Sequence, residues 1–200
     1  DQDHINGIRE LVEGERSAGG LPIRHAVLPD LAVRDEAYLE LEALLKEAEI
    51  PVLYMGAGDV LEEKDCSFTC LWPKKGAASE DRNDLSLVLL AEYKEFQMLL
   101  TGDIGTEAEK QLVSSGLLRE VEVLKTAHHG SKYSSTEAFL QSIRPAVSLI
   151  SCSATNRYGH PGEETLQRLT DAGSRIYITK DQGAVRVWTD GKIVKVSPAG

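Results

Sequence analysis

The chain has 200 residues, with 32 Asp and Glu against 22 Lys and Arg and a formal net charge of −10. That length suits one domain, large enough to bury a core without disulfide staples. The acidic excess argues against a broad DNA-coating surface, which would be basic, but not against an enzyme on nucleic acid, because bound cations neutralise phosphate locally.

The chain opens on Asp1 rather than Met and is expected to be a fragment or excised domain of something longer. Residues 5–16 carry Ile5, Ile8, Leu11 and Val12 at helical spacing, with Asp3 or His4 just before the helix and Gly19-Gly20 after it. Residues 22–28 read as a short strand stopped by Pro29, and His25 within it as a structural residue. Residues 35–49 set Leu39, Leu41, Leu44 and Leu45 on a helical face, and Pro51 opens a strand over 52–54. Residues 60–72 predict one or two strands. Cys66 and Cys70 would then share a face, either as small packed residues or as a disulfide or metal pair; with Cys152 they form no framework.

Residues 73–84 read as a polar loop. Strands over 85–93 and 96–100 follow, joined tightly at Lys94-Glu95. A helix over 105–114, a strand over 121–125, a helix over 135–143, a strand over 146–151 and a helix over 163–171 then alternate. Strands over 176–179, 184–188 and 192–196 close the chain, the last two joined at Asp190-Gly191. This order predicts a single layered α/β domain over residues 1–200, sheets with outer helices. No apolar run approaches the ~18 residues of a membrane span, and no signal peptide is expected within these residues.

Four segments carry chemistry. Asp1-Gln2-Asp3-His4 packs three potential metal ligands at a helix start, or else an N-capping Asp and a surface His. Thr101-Gly102-Asp103 ends a strand in a carboxylate, suited to bridging two cations or to a plain turn. His128-His129-Gly130-Ser131 follows a strand. Neighbouring side chains at a strand end point to opposite sides, so one imidazole can bind a metal while the other faces substrate. Gly130 lets the backbone turn sharply. Asn156-Arg157-Tyr158-Gly159-His160-Pro161 holds His160 in a shaped loop, for chemistry or for capping the next helix.

Together these segments resemble the metallo-β-lactamase-fold domain at the C-terminal end of the ComEC/Rec2 competence proteins, membrane proteins that import single-stranded DNA. Asp1 to Gly7 looks like the tail of that family's His-x-Asp-x-Asp-His motif, and residues 83–89 like its Asn-rich strand before Thr-Gly-Asp. The resemblance implies an αββα sandwich. The motif's first His would lie two residues before Asp1, so the resemblance also implies an N-terminally truncated chain with the N-terminal strands missing. An incomplete metal site and a bare sheet edge that invites self-association would follow.

The resemblance further implies a metal-dependent nuclease that hydrolyses DNA during natural transformation, as a soluble domain of a bacterial plasma-membrane protein. Its partners would be a single strand or the non-imported strand, and the remainder of the parent protein. Asp1, Asp3, His4, Asp103 and His129 would be metal ligands. His128 would face the phosphate or protonate the leaving group. His160 would touch substrate, support a ligand or be one. Ser131 and Lys132 would meet the phosphate, with Asn156 and Tyr158 beside them, and Arg157 near the site would also favour an anion. Two cations ~3.5–4 Å apart would clamp the attacking and leaving oxygens. A carboxylate at Asp1, where related motifs carry His, hardens the site and predicts Mn²⁺ first and Zn²⁺ second. Two alternatives remain: a hydrolase of another small phosphodiester, and a non-catalytic DNA- or partner-binding domain with a vestigial site.

Overall fold

The computed structural model describes residues 2–15 and 22–199. The elements are α1 (Gln2–Glu15), β1 (Ala26–Pro29), α2 (Glu36–Glu47), β2 (Val52–Met55), β3 (Val60–Glu63), β4 (Cys66–Trp72), β5 (Val88–Tyr93), β6 (Phe96–Leu100), α3 (Thr106–Ser115), β7 (Val123–Lys125), α4 (Glu137–Ile143), β8 (Val147–Ile150), α5 (Glu163–Asp171), β9 (Arg175–Ile178), α6 (Thr179–Gln182), β10 (Val185–Thr189) and β11 (Val194–Pro198). The expected α/β class is observed.

The body of the protein is a seven-stranded sheet in the order β3-β4-β5-β6-β7-β8-β9. Its first half is antiparallel: Lys64-Asp65 joins β3 to β4 and Lys94-Glu95 joins β5 to β6, connections too short for a crossover, and a longer segment over residues 73–87 joins β4 to β5. From β6 to β9 the strands run parallel, and α3, α4 and α5 provide the crossovers. One face of this sheet, with Val88, Leu90, Leu99, Leu124 and Ile150, packs on Ala108 and Leu112 of α3, Phe139, Leu140 and Ile143 of α4, and Leu169 of α5. The i, i+4 spacing of 108/112 and 139/143 turns each helix's apolar stripe onto the sheet. Each of the larger side chains, fully buried, contributes ~1.5–3 kcal/mol.

A second, smaller core joins Val12, Leu28, Leu41, Leu45 and Ile50, between α1, α2 and the parallel pair β1–β2. Asp35 begins α2 by accepting the Tyr38 N–H at 2.8 Å. The described residues thus supply one large sheet with its helix layer and two two-stranded pairs, β1–β2 and β10–β11, rather than a second large sheet. The edge strand β3 is four residues long and carries Glu62 and Glu63, features that discourage edge pairing.

Several boundaries differ from expectation. The helix α1 begins at Gln2, so Asp3 and His4 lie in its first turn instead of before it. Residues 60–72 form two strands around a turn at Lys64-Asp65. The strand expected from 85 starts at Val88; a short 3-10 turn, Asn83–Leu85, precedes it, pinned where Trp72 Nε1–H donates to the Asp84 carbonyl at 2.6 Å. The last hairpin has a four-residue loop, because the Asp190 carboxylate accepts from the N–H groups of Lys192 and Ile193 and keeps them out of the ladder. His25 is exposed, not packed, and all three cysteines are free thiols. Among the described residues no helix is long and apolar enough to cross a membrane.

Candidate metal centre

The parallel register decides where the site lies. Leu100 pairs with Lys125, Lys125 with Leu149, and Leu149 with Tyr177. The segments that leave β6, β7 and β8 therefore emerge side by side at the carboxyl ends of the strands, where open α/β sheets present their ligand sites. Thr101-Gly102-Asp103, His128-His129 and the loop to His160 meet there.

Asp103 is held by its backbone. Its N–H donates to Ser86 Oγ at 3.1 Å, and the next turn is fixed by the Gly105 N–H donating to Asp84 Oδ1 at 2.9 Å. Gly102 has φ +51°, and a Cβ there would sit 2.6 Å from the Cβ of Ser86, so this turn requires glycine. The Gly102 carbonyl accepts the His128 N–H at 3.1 Å, which ties the two segments together.

The histidine pair is not a strand end. His128 and His129 both take left-handed conformations, φ +48° and +54°, inside a short 3-10 turn. The expected strand alternation is thereby corrected: the two rings diverge because of the turn, with centroids 6.3 Å apart and planes at 73°. Left-handed non-glycine residues cost ~1–3 kcal/mol each and concentrate at functional sites. Gly130 has φ +82°, and a Cβ there would meet Pro161 Cβ at 2.6 Å, so the glycine also permits the His160 loop to close down.

His129 is oriented from behind. Its Nδ1 lies 2.8 Å from the Ser151 carbonyl, which can only accept, so Nδ1 carries the proton. Nε2 then faces Asp103 Oδ2 at 3.5 Å. A ring N–H given to a backbone carbonyl, with the other nitrogen left to the metal, is how metal-binding imidazoles are fixed. The facing Asp103 carboxylate, which can accept from Nε2–H once the ring is protonated, raises the His129 pKa above its ordinary value against the opposing effect of burial, and the Ser151 carbonyl adds to the rise.

His160 completes a cluster, with ring centroids 5.6 Å from His128 and 6.4 Å from His129. Burial first, then the two neighbouring imidazoles, lower its pKa, so it is neutral at neutral pH. Asn156 holds this loop. Its amide nitrogen donates to the carbonyls of Ser153 (2.7 Å) and His160 (2.8 Å), and its Oδ1 accepts the His160 N–H (2.8 Å). Tyr158 stacks on His160 at 5.7 Å. Lys132 and Ser131 join His128 and His160 in lining a cleft of about 770 Å³; Ser131 itself is buried, its Oγ accepting the Tyr133 N–H at 3.3 Å. Arg157 is exposed and does not line this cleft. Asp1 lies outside the described residues, as do the side chains of Asp3 and His4. Among the described residues no group of three or more His, Cys, Asp or Glu side chains is gathered around a common cation position; Asp103 and His129 are the candidate ligands brought together.

Three residues that matter here were not singled out from the sequence. Glu109 is fully buried and its two oxygens accept the backbone N–H groups of Ser135 and Thr136. Burial raises its pKa against those hydrogen bonds and Arg168. Arg168 donates from Nε to the Ser135 carbonyl (2.8 Å) and from Nη2 to those of Ser134 (2.8 Å) and Lys132 (3.0 Å). Lys125 is half-buried at the end of β7 with its Nζ donating to the Thr126 carbonyl at 3.0 Å; burial lowers its pKa and the nearby Asp103 opposes that. The signal for the first two was present: Glu109 and Arg168 are charges set beside Ala108, Leu112 and Leu169, on the apolar stripes of their helices.

The fold and the site define a layered α/β domain with an Asp/His centre at the ends of parallel strands. No family model matches the chain. It is 31% identical to ComE operon protein 3 of Bacillus subtilis over 93% of its own length, 35% identical to Recombination protein 2 of Haemophilus influenzae over 52%, and 31% identical to Competence protein ComA of Neisseria gonorrhoeae over 68%. The chain belongs with the ComEC/Rec2 proteins, as a domain of that kind. It spans 23%, 13% and 20% of these relatives, respectively. A crystal structure of a metal-dependent hydrolase from Parabacteroides distasonis overlaps 77% of this chain and 76% of its own at a TM-score of 0.49 and 10% identity, a likeness too distant to transfer chemistry.

Proposed function

We propose that this chain is a metal-dependent phosphodiesterase domain that cleaves DNA, within a bacterial membrane protein of the DNA-uptake machinery. The observation that carries the reading is the His129–Asp103 pair: Nδ1–H is committed to the Ser151 carbonyl, which leaves Nε2 aimed at Asp103. That donor set fits a divalent cation, because a neutral imidazole nitrogen and a carboxylate are ligands of hard or borderline metals. Asp103 and His129 would hold the metals together with Asp1, Asp3 and His4, with Mn²⁺ preferred and Zn²⁺ second. When bound, the two cations would supply Lewis acidity and a nucleophile at neutral pH.

The rest of the chemistry belongs to the chain. His128, on the cleft side of the pair, is suited to give a proton to the departing oxygen, and neutral His160 to accept one or to bond a phosphoryl oxygen. Lys132 provides a cation and Ser131 a hydroxyl on the same wall. The names of the relatives, which speak of competence and recombination, support DNA as the polymer and the remainder of a longer protein as partner.

The test is hydrolysis of labelled DNA by the Mn²⁺-loaded chain and by a version extended upstream of Asp1. Activity of either, lost in both Asp103→Ala and His129→Ala, is expected. Activity that survives both substitutions would overturn the reading.

A further inference from the structure

We propose that Tyr133 and Tyr158 are base-stacking subsites of the cleft, so that it takes a strand whose bases are unpaired. The inference rests on the reading that the substrate is a DNA phosphodiester, and it names the side chains that would recognise the bases. Tyr158 is 83% exposed and Tyr133 66%, among the most exposed large apolar side chains of the described residues. Both line the 770 Å³ cleft that also holds His128, Lys132 and His160.

Tyr158 is the outer member of a ladder of rings. Its plane lies 20° from that of His160 at 5.7 Å, and His160 lies 22° from His129 at 6.4 Å. The ladder steps inward from solvent to the imidazole that faces Asp103. A base laid on the outer face of Tyr158 would extend it by one ring, at the offset-stacked separations aromatic pairs prefer. The Lys132 ammonium lies over one face of the Tyr133 ring, 5.1 Å from its centroid, so a base would use the opposite face with a phosphate partner behind the platform.

Both platforms stand on fixed backbone. The Tyr133 carbonyl accepts from Thr106 Oγ1 at 2.7 Å, and Asn156 braces the Tyr158 loop. Little ordering is therefore left to be done on binding. Glu163 and Glu164 also line this cleft. Their carboxylates repel phosphate but accept from exocyclic amino groups, which suits a wall that meets base edges and not the sugar–phosphate chain. A duplex hides base faces within its own stack, so exposed platforms favour a single strand.

The experiment measures fluorescence anisotropy of a 5′-labelled oligodeoxycytidylate, whose bases carry an exocyclic amino group, against an abasic strand of equal length, at low salt in chelator. The normal strand should bind at least about fivefold tighter than the abasic one. Tyr158→Ala and Tyr133→Ala should each reduce that preference, and Tyr158→Phe and Tyr133→Phe should retain it. Equal binding of the two strands, no binding of either, or a preference unchanged in both Ala variants would overturn the proposal. Hydrolysis of the abasic strand by the Mn²⁺-loaded chain and by its version extended upstream of Asp1 tests the hydrolase reading separately: turnover without base preference sinks only the subsites, and base preference without turnover by either version sinks only the hydrolase.

Discussion

Glu109 and Arg168, from two different helices, grip the segment after the histidine pair from its two polar sides. The carboxylate takes the N–H groups of Ser135 and Thr136, and the guanidinium takes the carbonyls of Lys132, Ser134 and Ser135. Ser135 sits between them at φ +56°. The clasp is what keeps a strained turn in one conformation next to the cleft.

Arg168→Ala should therefore destabilise the protein by ~2–3 kcal/mol, since it leaves several carbonyls without their charged donor. Glu109→Gln should cost ~1–3 kcal/mol, because an amide offers only one acceptor to two N–H donors. Urea melts measure both. If the clasp positions the cleft, Arg168→Lys should recover stability better than it recovers KM for DNA, as an ammonium cannot reproduce the guanidinium fork.

Gly102→Ala tests the turn that presents Asp103. The added Cβ would meet Ser86 Cβ at 2.6 Å on a backbone with φ +51°. A loss of ~1–3 kcal/mol in stability is expected, with Mn²⁺ affinity, read by calorimetry, falling further than in a control such as Gly173→Ala, whose Cβ would meet nothing within 4 Å. Equal metal affinity in the two variants would remove Gly102 from the site's architecture.

The pH dependence of the metal-free protein should carry the signature of His129. The Asp103 carboxylate facing Nε2 stabilises the protonated ring and raises its folded pKa above the ordinary 6.5. A group raised on folding contributes stability that is fully present below its unfolded value and is lost as pH rises through the folded value. Thermal melts in chelator should thus show stability falling from about pH 6.5 upward, and Asp103→Asn should flatten that fall. Saturating metal should reverse the slope, because the cation competes with the proton for Nε2.

Metal preference is the fourth prediction. Chain stripped with chelator and titrated by calorimetry should take up Mn²⁺ ahead of Mg²⁺, and His129→Ala should lower the affinity at least about tenfold. Restoration of DNA cleavage by Zn²⁺ and not by Mn²⁺ would refute the carboxylate-rich ligand set.

Much of this protein was legible locally. The helix stripes at 108/112 and 139/143, the Lys94-Glu95 hairpin and the alternation from 96 onward reflect periodicities that hold whatever the tertiary context. The His-His-Gly-Ser, Thr-Gly-Asp and Tyr-Gly-His segments could be picked out because their residue types are chemically costly to place without use. The 3-10 turn over Asn83–Leu85 and the last hairpin's loop escape a local reading because single side-chain contacts, from Trp72 and Asp190, override propensity there.

What only the tertiary structure decided is how the segments share work. The sequence by itself determined the elements and the reactive residue types, because hydrophobic period and side-chain chemistry are local properties. That His129 faces Asp103 depends on the register of β6, β7 and β8, which brings Leu100, Lys125 and Leu149 level, and on the Ser151 carbonyl that fixes the imidazole. Such relations join residues about 20 to 30 positions apart through hydrogen bonds, and no local pattern encodes which partner each group will meet.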